Sequence, residues 1–398
     1  GISVQLSYQI FGILINVLTV LISYLVFRKL FDNVYTGLLG AALYSMSVYR
    51  MFLLYSEAEL GESIALIFVP LIIYAVGMML YRDAQDRDPR AWICLALGLT
   101  GILHAHLLTF VLVVCALIVV WVINIGRLKS AEVWKHLGFA IGLFVLCNLS
   151  YVYVLRLYLG VHAQVHPGTG SDIQTLGLQV AQLFMCFYQA GSSRDFGGSG
   201  VNNAAPVGLG FVMLVILLLF LYLVVVYGKE LAGQKKRAGL QLFWVGLIAT
   251  YFSTLLFPWD ALRRSAPGLE VAIGDLQAPW HFLSIALTLF AVLGCIVYEL
   301  LRTQFPEYYR IGGVALFLLT VLSSSYALAN MLFVYDFSRI KMTEEIVYEG
   351  IAQAGAIDAA AAGPLWYIME ALSIIAVIFG IVCLVKRGGA NAAKEEQQ

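Results

Sequence analysis

Long apolar runs separated by short polar stretches set the pattern of this chain. A helix that crosses a bilayer needs about 20 apolar residues, range 17–25. Runs of that length lie at Tyr8–Phe27, Leu60–Tyr81, Leu137–Leu157, Val207–Tyr227, Gly239–Phe257, Trp280–Leu301, Ile311–Tyr335 and Pro364–Val385. Thr36–Tyr49 is shorter but strongly apolar. Ala91–Ile125 is too long for one crossing, since at the helical rise it would measure over ~50 Å. Its polar break His104-Ala-His106 divides it into two short helices meeting near one surface. The pattern predicts an all-α transmembrane bundle of about 11 spans. The runs are continuous rather than alternating, which excludes an outer-membrane barrel.

Composition narrows this further. Residues of the hydrophobic set make up 61% of the 398 and charged residues 12%, against about 25% charged in soluble domains. Soluble enzymes, disordered chains and basic nucleic-acid binders are excluded. Five of the six cysteines sit inside apolar runs, with no CxxC pair. Neither a disulfide framework nor zinc is expected.

The formal net charge of zero hides an asymmetry. One set of loops, with Arg28, Lys29, Arg82, Lys235, Arg302 and Lys386 among its residues, holds 17 of the 24 basic residues; the other set holds 7. Basic loops mark the cytoplasmic side, so the C-terminus is expected inside and the N-terminus outside. The chain opens on Gly1 with no signal peptide ahead of its first run. Both signs suggest a natural start upstream. Residues 1–385 form one transmembrane domain in this reading, and 386–398 a cytoplasmic tail.

The outer segments 158–206, 258–279 and 336–363 are long. In the first, Ile173, Leu176, Val180, Leu183, Phe184 and Phe187 share a helical face. They predict an interfacial helix over Asp172–Ala190, capped by Ser171 with Gln174 as the reciprocal partner. The glycine-rich loop 191–200 lacks the lysine of a phosphate-binding loop. No internal repeat is visible.

Ionisable groups at the ends of membrane spans are costly and mark functional sites. The densest group is Arg50, Glu57, Glu59 and Glu62 in VYRMFLLYSEAELGES. Glu59 and Glu62 share a helix face, and Glu62 falls below the interface, where Arg50 is its expected partner. Glu57 reads as a solvated loop acid. Five of the six histidines are on the outer side: His104, His106, His162, His166 and His281. Arg263 and Arg264 are adjacent outer cations that suit a phosphate, or a pairing with Asp260 or Glu270. Trp259 and Trp280 bracket that loop as interface anchors. No metal-ligand spacing such as HExxH occurs, so no cofactor is expected and a divalent metal is the minor reading. Asp86-Arg87-Asp88 reads as a solvated turn. Arg50, Glu62, His104 and His281 are expected to converge on one cavity.

These residues resemble a family. Tyr49, Arg50, Tyr55, Gly61, Glu62, Ala65, Pro70 and Leu71, then His104–Phe110, then Gln277, Pro279 and Trp280 are similar to motifs of the bacterial membrane proteins called 6-pyruvoyl-tetrahydropterin-synthase-related. These stand close to the YfhO-like lipoteichoic-acid glycosylation proteins and to the GT-C type membrane glycosyltransferases. Glu57 stands where that family has a basic residue, and Ala278 and His281 where it has Phe and Arg. The resemblance implies a GT-C bundle in a bacterial cell membrane. It implies transfer of a sugar from a polyprenyl-phosphate donor to a cell-envelope polymer at the outer face, without nucleic acid. Glu59 and Glu62 would be catalytic. Arg50, Tyr55, His104, His106, Arg263, Arg264, Trp280 and His281 would bind substrate. The family's usual catalytic Asp would lie upstream of this sequence. A transporter or lipid flippase is the alternative, with Asn16 and Asn148 as the few mid-span polar groups; a non-catalytic assembly subunit is the third reading.

Overall fold

In the computed structural model, which describes residues 3–162, 173–184, 207–231, 233–266, 273, 276–334 and 363–385, helices occupy the apolar runs and polar side chains fix where they stop. Helix α1 (Val4–Phe31) begins at Ser3, whose hydroxyl accepts from Leu6 N, and ends at Asp32, which is left-handed with φ 51°. Asn33 caps α2 (Val34–Ser45), its side chain accepting from Tyr35 N at 2.9 Å. Ser47 caps α3 (Val48–Tyr55), which turns by 47° from α2. Thr36–Tyr49 is therefore a bent pair rather than one run. Helix α4 (Leu60–Val76) continues into a π turn over Gly77–Tyr81.

The expected division of Ala91–Ile125 falls at His106, between α5 (Ala91–Ala105) and α6 (Leu107–Ile123). The imidazole caps α6 by accepting from Thr109 N at 3.4 Å, which satisfies one of the orphan donors of a helix start. Helices α7 (Ala131–Cys147) and α8 (Leu149–His162) meet at a 59° bend. Asn148 makes that bend. Its amide donates to Phe144 O at 2.6 Å and Thr100 Oγ1 at 2.9 Å. The remaining elements are α9 (Val180–Phe184), α10 (Phe211–Tyr227), α11 (Gly233–Phe252), α12 (Trp259–Ser265), α13 (Leu283–Gln304), α14 (Tyr309–Val334) and α15 (Gly363–Val385). A 3-10 turn, Pro279–Phe282, leads into α13.

Helix α13 is the central post. Its apolar window is wholly buried, and α2, α10, α11 and α14 pack around it. A helix apolar on every side is stable only when surrounded in this way or by lipid. Helices α1 and α15 are the opposite case, with only 28% and 17% of their apolar windows buried. Ile13, Val17, Ile375 and Phe379 on them face outward, as lipid-facing residues do. Among the described residues, five helices are long and apolar enough to cross a membrane, or seven if each bent pair is one span. Helices α5, α6 and α10 are apolar but shorter. The described residues contain no β-strand.

The interfacial helix expected over Asp172–Ala190 is not continuous. A 3-10 turn, Ile173–Leu176, is separated from α9 by an extended break. Gly177 explains it: a Cβ there would lie 2.7 Å from Leu255 N and 2.9 Å from Leu255 Cα. That close approach lets Leu178 form a parallel bridge with Thr254, donating to Ser253 O at 2.9 Å and accepting from Leu255 N at 3.0 Å. Gln174 is no capping partner. Its amide donates to Leu255 O and Phe257 O, and its oxygen accepts from Asp260 N. Ile173 and Leu183 are buried, so the segment is held in the bundle. Ser171, residues 185–190, His166, the loop 191–200, Arg194, Glu270, Arg339 and Lys341 lie outside the described residues.

Asp86-Arg87-Asp88 is also more than a solvated turn. Asp88 accepts from Tyr74 Oη at 2.8 Å and pairs with Lys29 at 3.2 Å and Arg90 at 3.4 Å. Burial alone would raise its carboxyl, but the Arg90 N–H, Tyr74 and Lys29 together hold it below the usual range.

Candidate functional site

Two carboxylate–imidazole pairs meet where the start of α13 faces the start of α4. The sequence builds each half locally. Ala58 takes a left-handed φ of 56° and turns the chain between α3 and α4. Glu59 therefore stands at the N-cap of α4 and Glu62 lies in its first turn, buried. His106 is presented by the α5–α6 break. His281 is presented by the 3-10 turn that Pro279 opens.

Glu62 is fully buried. Its Oε2 lies 2.6 Å from His281 Nδ1, and its Oε1 accepts from Tyr49 Oη at 3.0 Å. His281 is itself only 2% exposed. Beside this pair, His106 Nε2 lies 3.0 Å from Glu59 Oε1. Thr109 Oγ1 lies 2.8 Å from His106 Nδ1; with Thr109 N donating to Nδ1, the proton belongs on Nε2, facing Glu59. The two imidazole rings are 6.0 Å apart. The hydrogen bond from His106 pulls the Glu59 carboxyl below the usual range, against its partial burial, and the charge of His281 adds to this.

Glu57 corrects an expectation. It is no solvated loop acid: burial pushes its carboxyl up to about 7, while His281 pulls the other way. Its Oε2 and the Trp280 Nε1 are both buried without a hydrogen-bond partner, although Trp280 is close enough to favour the ionised acid. Trp280 is a buried residue against Phe52, with ring centroids 6.4 Å apart, rather than an interface anchor. A carboxyl raised in the fold stabilises the fold below its ordinary value of 4.5, and that contribution is lost as pH rises towards 7. Thermal unfolding of the detergent-solubilised protein should therefore fall in temperature between about pH 5 and pH 7, and Glu57→Gln should reduce that slope. An unchanged slope in the variant would place the titration elsewhere.

Arg50 and Glu62 were expected to pair, and they take different partners. Arg50 is 1% exposed and turns towards α1. Its guanidinium donates to Asn16 Oδ1 at 2.9 Å, Thr19 Oγ1 at 3.0 Å and Ser45 O at 2.8 Å, with Nε buried and unpartnered. Tyr55 joins this second network by accepting from Asn16 Nδ2 at 3.1 Å. His104 does not join the acid–imidazole cluster. It is exposed and its ring lies 4.9 Å from that of Tyr151. Arg263 and Arg264 sit on α12, where Arg264 is exposed and donates to Asp260 O at 3.1 Å.

The structure thus brings together Glu59, Glu62, His106 and His281, and adds Tyr49 and Glu57. Tyr49 stood in the sequence only as a member of the Tyr-Arg motif, with nothing to mark its hydroxyl as a partner of Glu62. Glu59, Glu62 and His106 also offer ligand atoms within 4.8 Å of one another, the one such metal-sized group among the described residues. A carboxylate pair with one imidazole is a donor set that zinc or manganese accepts. No known family model, curated protein or solved structure matches this chain.

Proposed function

We propose that the protein is a membrane-embedded glycosyltransferase of GT-C type, moving a sugar from a polyprenyl-phosphate donor to a cell-envelope acceptor at the outer face of a bacterial membrane. The observation that carries this reading is the buried Glu62–His281 pair at 2.6 Å beside the Glu59–His106 pair. General-base transfer needs an imidazole or carboxylate held in one orientation. Glu62 fixes the His281 ring through Nδ1, leaving Nε2 to exchange a proton. In the form with His281 neutral, that nitrogen takes the proton of the acceptor hydroxyl as its oxygen bonds to the sugar's anomeric carbon, and Glu62 stabilises the imidazolium that results. The bond from that carbon to the donor phosphate breaks, and polyprenyl phosphate leaves. Glu59 and His106 flank the reacting groups. In this reading the shorter helices α5, α6 and α10, helix α11 and the two bent pairs also cross, giving about 11 spans, with the C-terminus cytoplasmic.

The full chain, reconstituted in vesicles with polyprenyl-phosphate hexoses and an envelope polymer, should release polyprenyl phosphate. Release no faster than in protein-free vesicles would end this reading. The alternative, a lipid flippase or transporter, draws on a cavity beside α13 that reaches from Glu299 to Ile285, one turn from His281. Protein-dependent inversion of a fluorescent polyprenyl phosphate, without sugar transfer, would favour it.

A further inference from the structure

The far end of α13 carries a second polar group, unrelated to the acid–imidazole cluster. Glu299 is buried at 1% exposure. Its Oε1 accepts from Thr36 Oγ1 at 2.5 Å and from Asn33 Nδ2 at 3.2 Å. Its Oε2 faces Arg302 at 2.9 Å and Lys235 at 3.6 Å. The acid is deep, whereas the side chains of Lys235 and Arg302 are 39% and 42% exposed. Anything arriving from the membrane surface meets the cations first.

These groups form the mouth of a cavity of about 360 Å³ between α4, α6, α11 and α13. That size lies in the range of small-molecule sites, about 300–1,000 Å³. Above the mouth the walls are apolar, with Ile72, Val120, Val245 and Val292 facing one another. Between mouth and walls runs a polar ledge. Tyr81 Oη donates to Gln241 Oε1, Asn124 Nδ2 donates to Tyr81 Oη at 3.0 Å, and Gln241 Nε2 donates to Asn124 Oδ1 at 3.3 Å. The charges at the mouth are unequal. Arg82, Lys235 and Arg302 face Asp32 and Glu299, which leaves one cation in excess. From Glu299 to Ile285 the cavity follows fourteen residue steps of α13, about 21 Å at the helical rise.

A charged mouth, a hydrogen-bonding ledge and a long apolar shaft reproduce, in order, the headgroup, ester and acyl levels of one leaflet. We infer that this cavity binds an anionic phospholipid from the leaflet at the basic end of the bundle. One acyl chain lies along α13 and the phosphate sits between Lys235 and Arg302. Glu299 keeps Thr36 and Asn33 as donors when the two cations turn to the phosphate, so no buried acid is stranded. This site is independent of the glycosyl-transfer reading and stands or falls without it.

The full chain, purified in detergent and stripped of lipid, is titrated with phosphatidylglycerol and phosphatidylcholine of matched chains, with native mass spectrometry as the readout. One phosphatidylglycerol per chain should be retained, roughly tenfold or more tighter than phosphatidylcholine, because two cations attract a headgroup of net negative charge, whereas choline neutralises the phosphate of phosphatidylcholine. Arg302→Gln should reduce that preference, and Lys235→Gln with Arg302→Gln should remove it. Ala116→Trp, which fills the shaft and leaves the ion pairs alone, should weaken both lipids together. Equal binding of the two lipids by the unaltered chain would overturn the inference. So would unchanged phosphatidylglycerol binding in Ala116→Trp, or glycerol phosphate competing as well as the intact lipid.

Discussion

Glu62→Gln should lower the rate of the proposed sugar transfer by roughly 10²–10⁴-fold, the range lost when a positioned acid–base group is disabled, while the protein still folds. Glutamine keeps the volume of the side chain. Its oxygen can still accept from His281 Nδ1, and its other position still meets Tyr49 Oη, now at 2.6 and 3.0 Å from the carboxylate. What disappears is the negative charge that lets His281 carry a proton in a buried site. A truncation says something different. Glu62→Ala would leave Tyr49 Oη and the His281 ring without partners in the interior, and each stranded group costs about 1–3 kcal/mol. Turnover and thermal unfolding should therefore separate in the Gln variant and fall together in the Ala variant. A Glu62→Gln protein within about threefold of the parent rate would remove the Glu62–His281 pair from the chemistry.

Arg50→Ala should have the largest effect on stability of any single substitution at the candidate residues, roughly 3–5 kcal/mol, the cost of breaking a buried charged network from one side. Three acceptors lose their donor at once: Asn16 Oδ1, Thr19 Oγ1 and the Ser45 carbonyl. The last is the terminal carbonyl of α2, so the α2–α3 bend and the seat of α1 depend on the same side chain. Arg50→Lys should rescue little. An ammonium is a single point, whereas the planar guanidinium reaches α1 and the end of α2 together. Denaturant or thermal unfolding in detergent measures this. A phosphate-binding role makes the opposite prediction, in which Arg50→Ala folds with the parent stability and loses only donor affinity. The guanidinium's commitment to Asn16, Thr19 and Ser45 favours the first outcome.

The two predictions differ because two buried charges of similar appearance in the sequence have different surroundings. Arg50 and Glu62 are twelve residues apart and both end apolar runs. Their burial could be read from the chain, and it is found: 1% and 0% exposed. Their partners could not be read. His281 is 219 residues from Glu62, and the pairing exists only because α4 and α13 pack with their starts together. The nearest cation along the chain was the natural candidate for Glu62, but a helix rotates successive side chains by about 100°, so proximity in sequence does not put two groups on one face. His104 and His106 show the same limit. Both sit at one helix break, yet His106 caps α6 and meets Glu59 while His104 faces Tyr151 and solvent.

What the amino-acid sequence determined is what depends on local chemistry: apolar runs that must be helical, because an apolar environment leaves the backbone no other partner; the break at His106; and the burial of an acid placed inside a span. What only the tertiary structure decided is everything that depends on which helix stands beside which. Gly177 illustrates this from the other side. The apolar face of Asp172–Ala190 has helical spacing, but the backbone of Leu255 occupies the space where a side chain at Gly177 would stand, and the helix yields to a bridge. The central position of α13, with His281 at one end and Glu299 at the other, is likewise invisible along the chain. Hydropathy gives a helix its environment but not its neighbours, since one apolar surface packs against another without directional preference. The polar groups at the two ends of α13 acquire their roles from that packing alone.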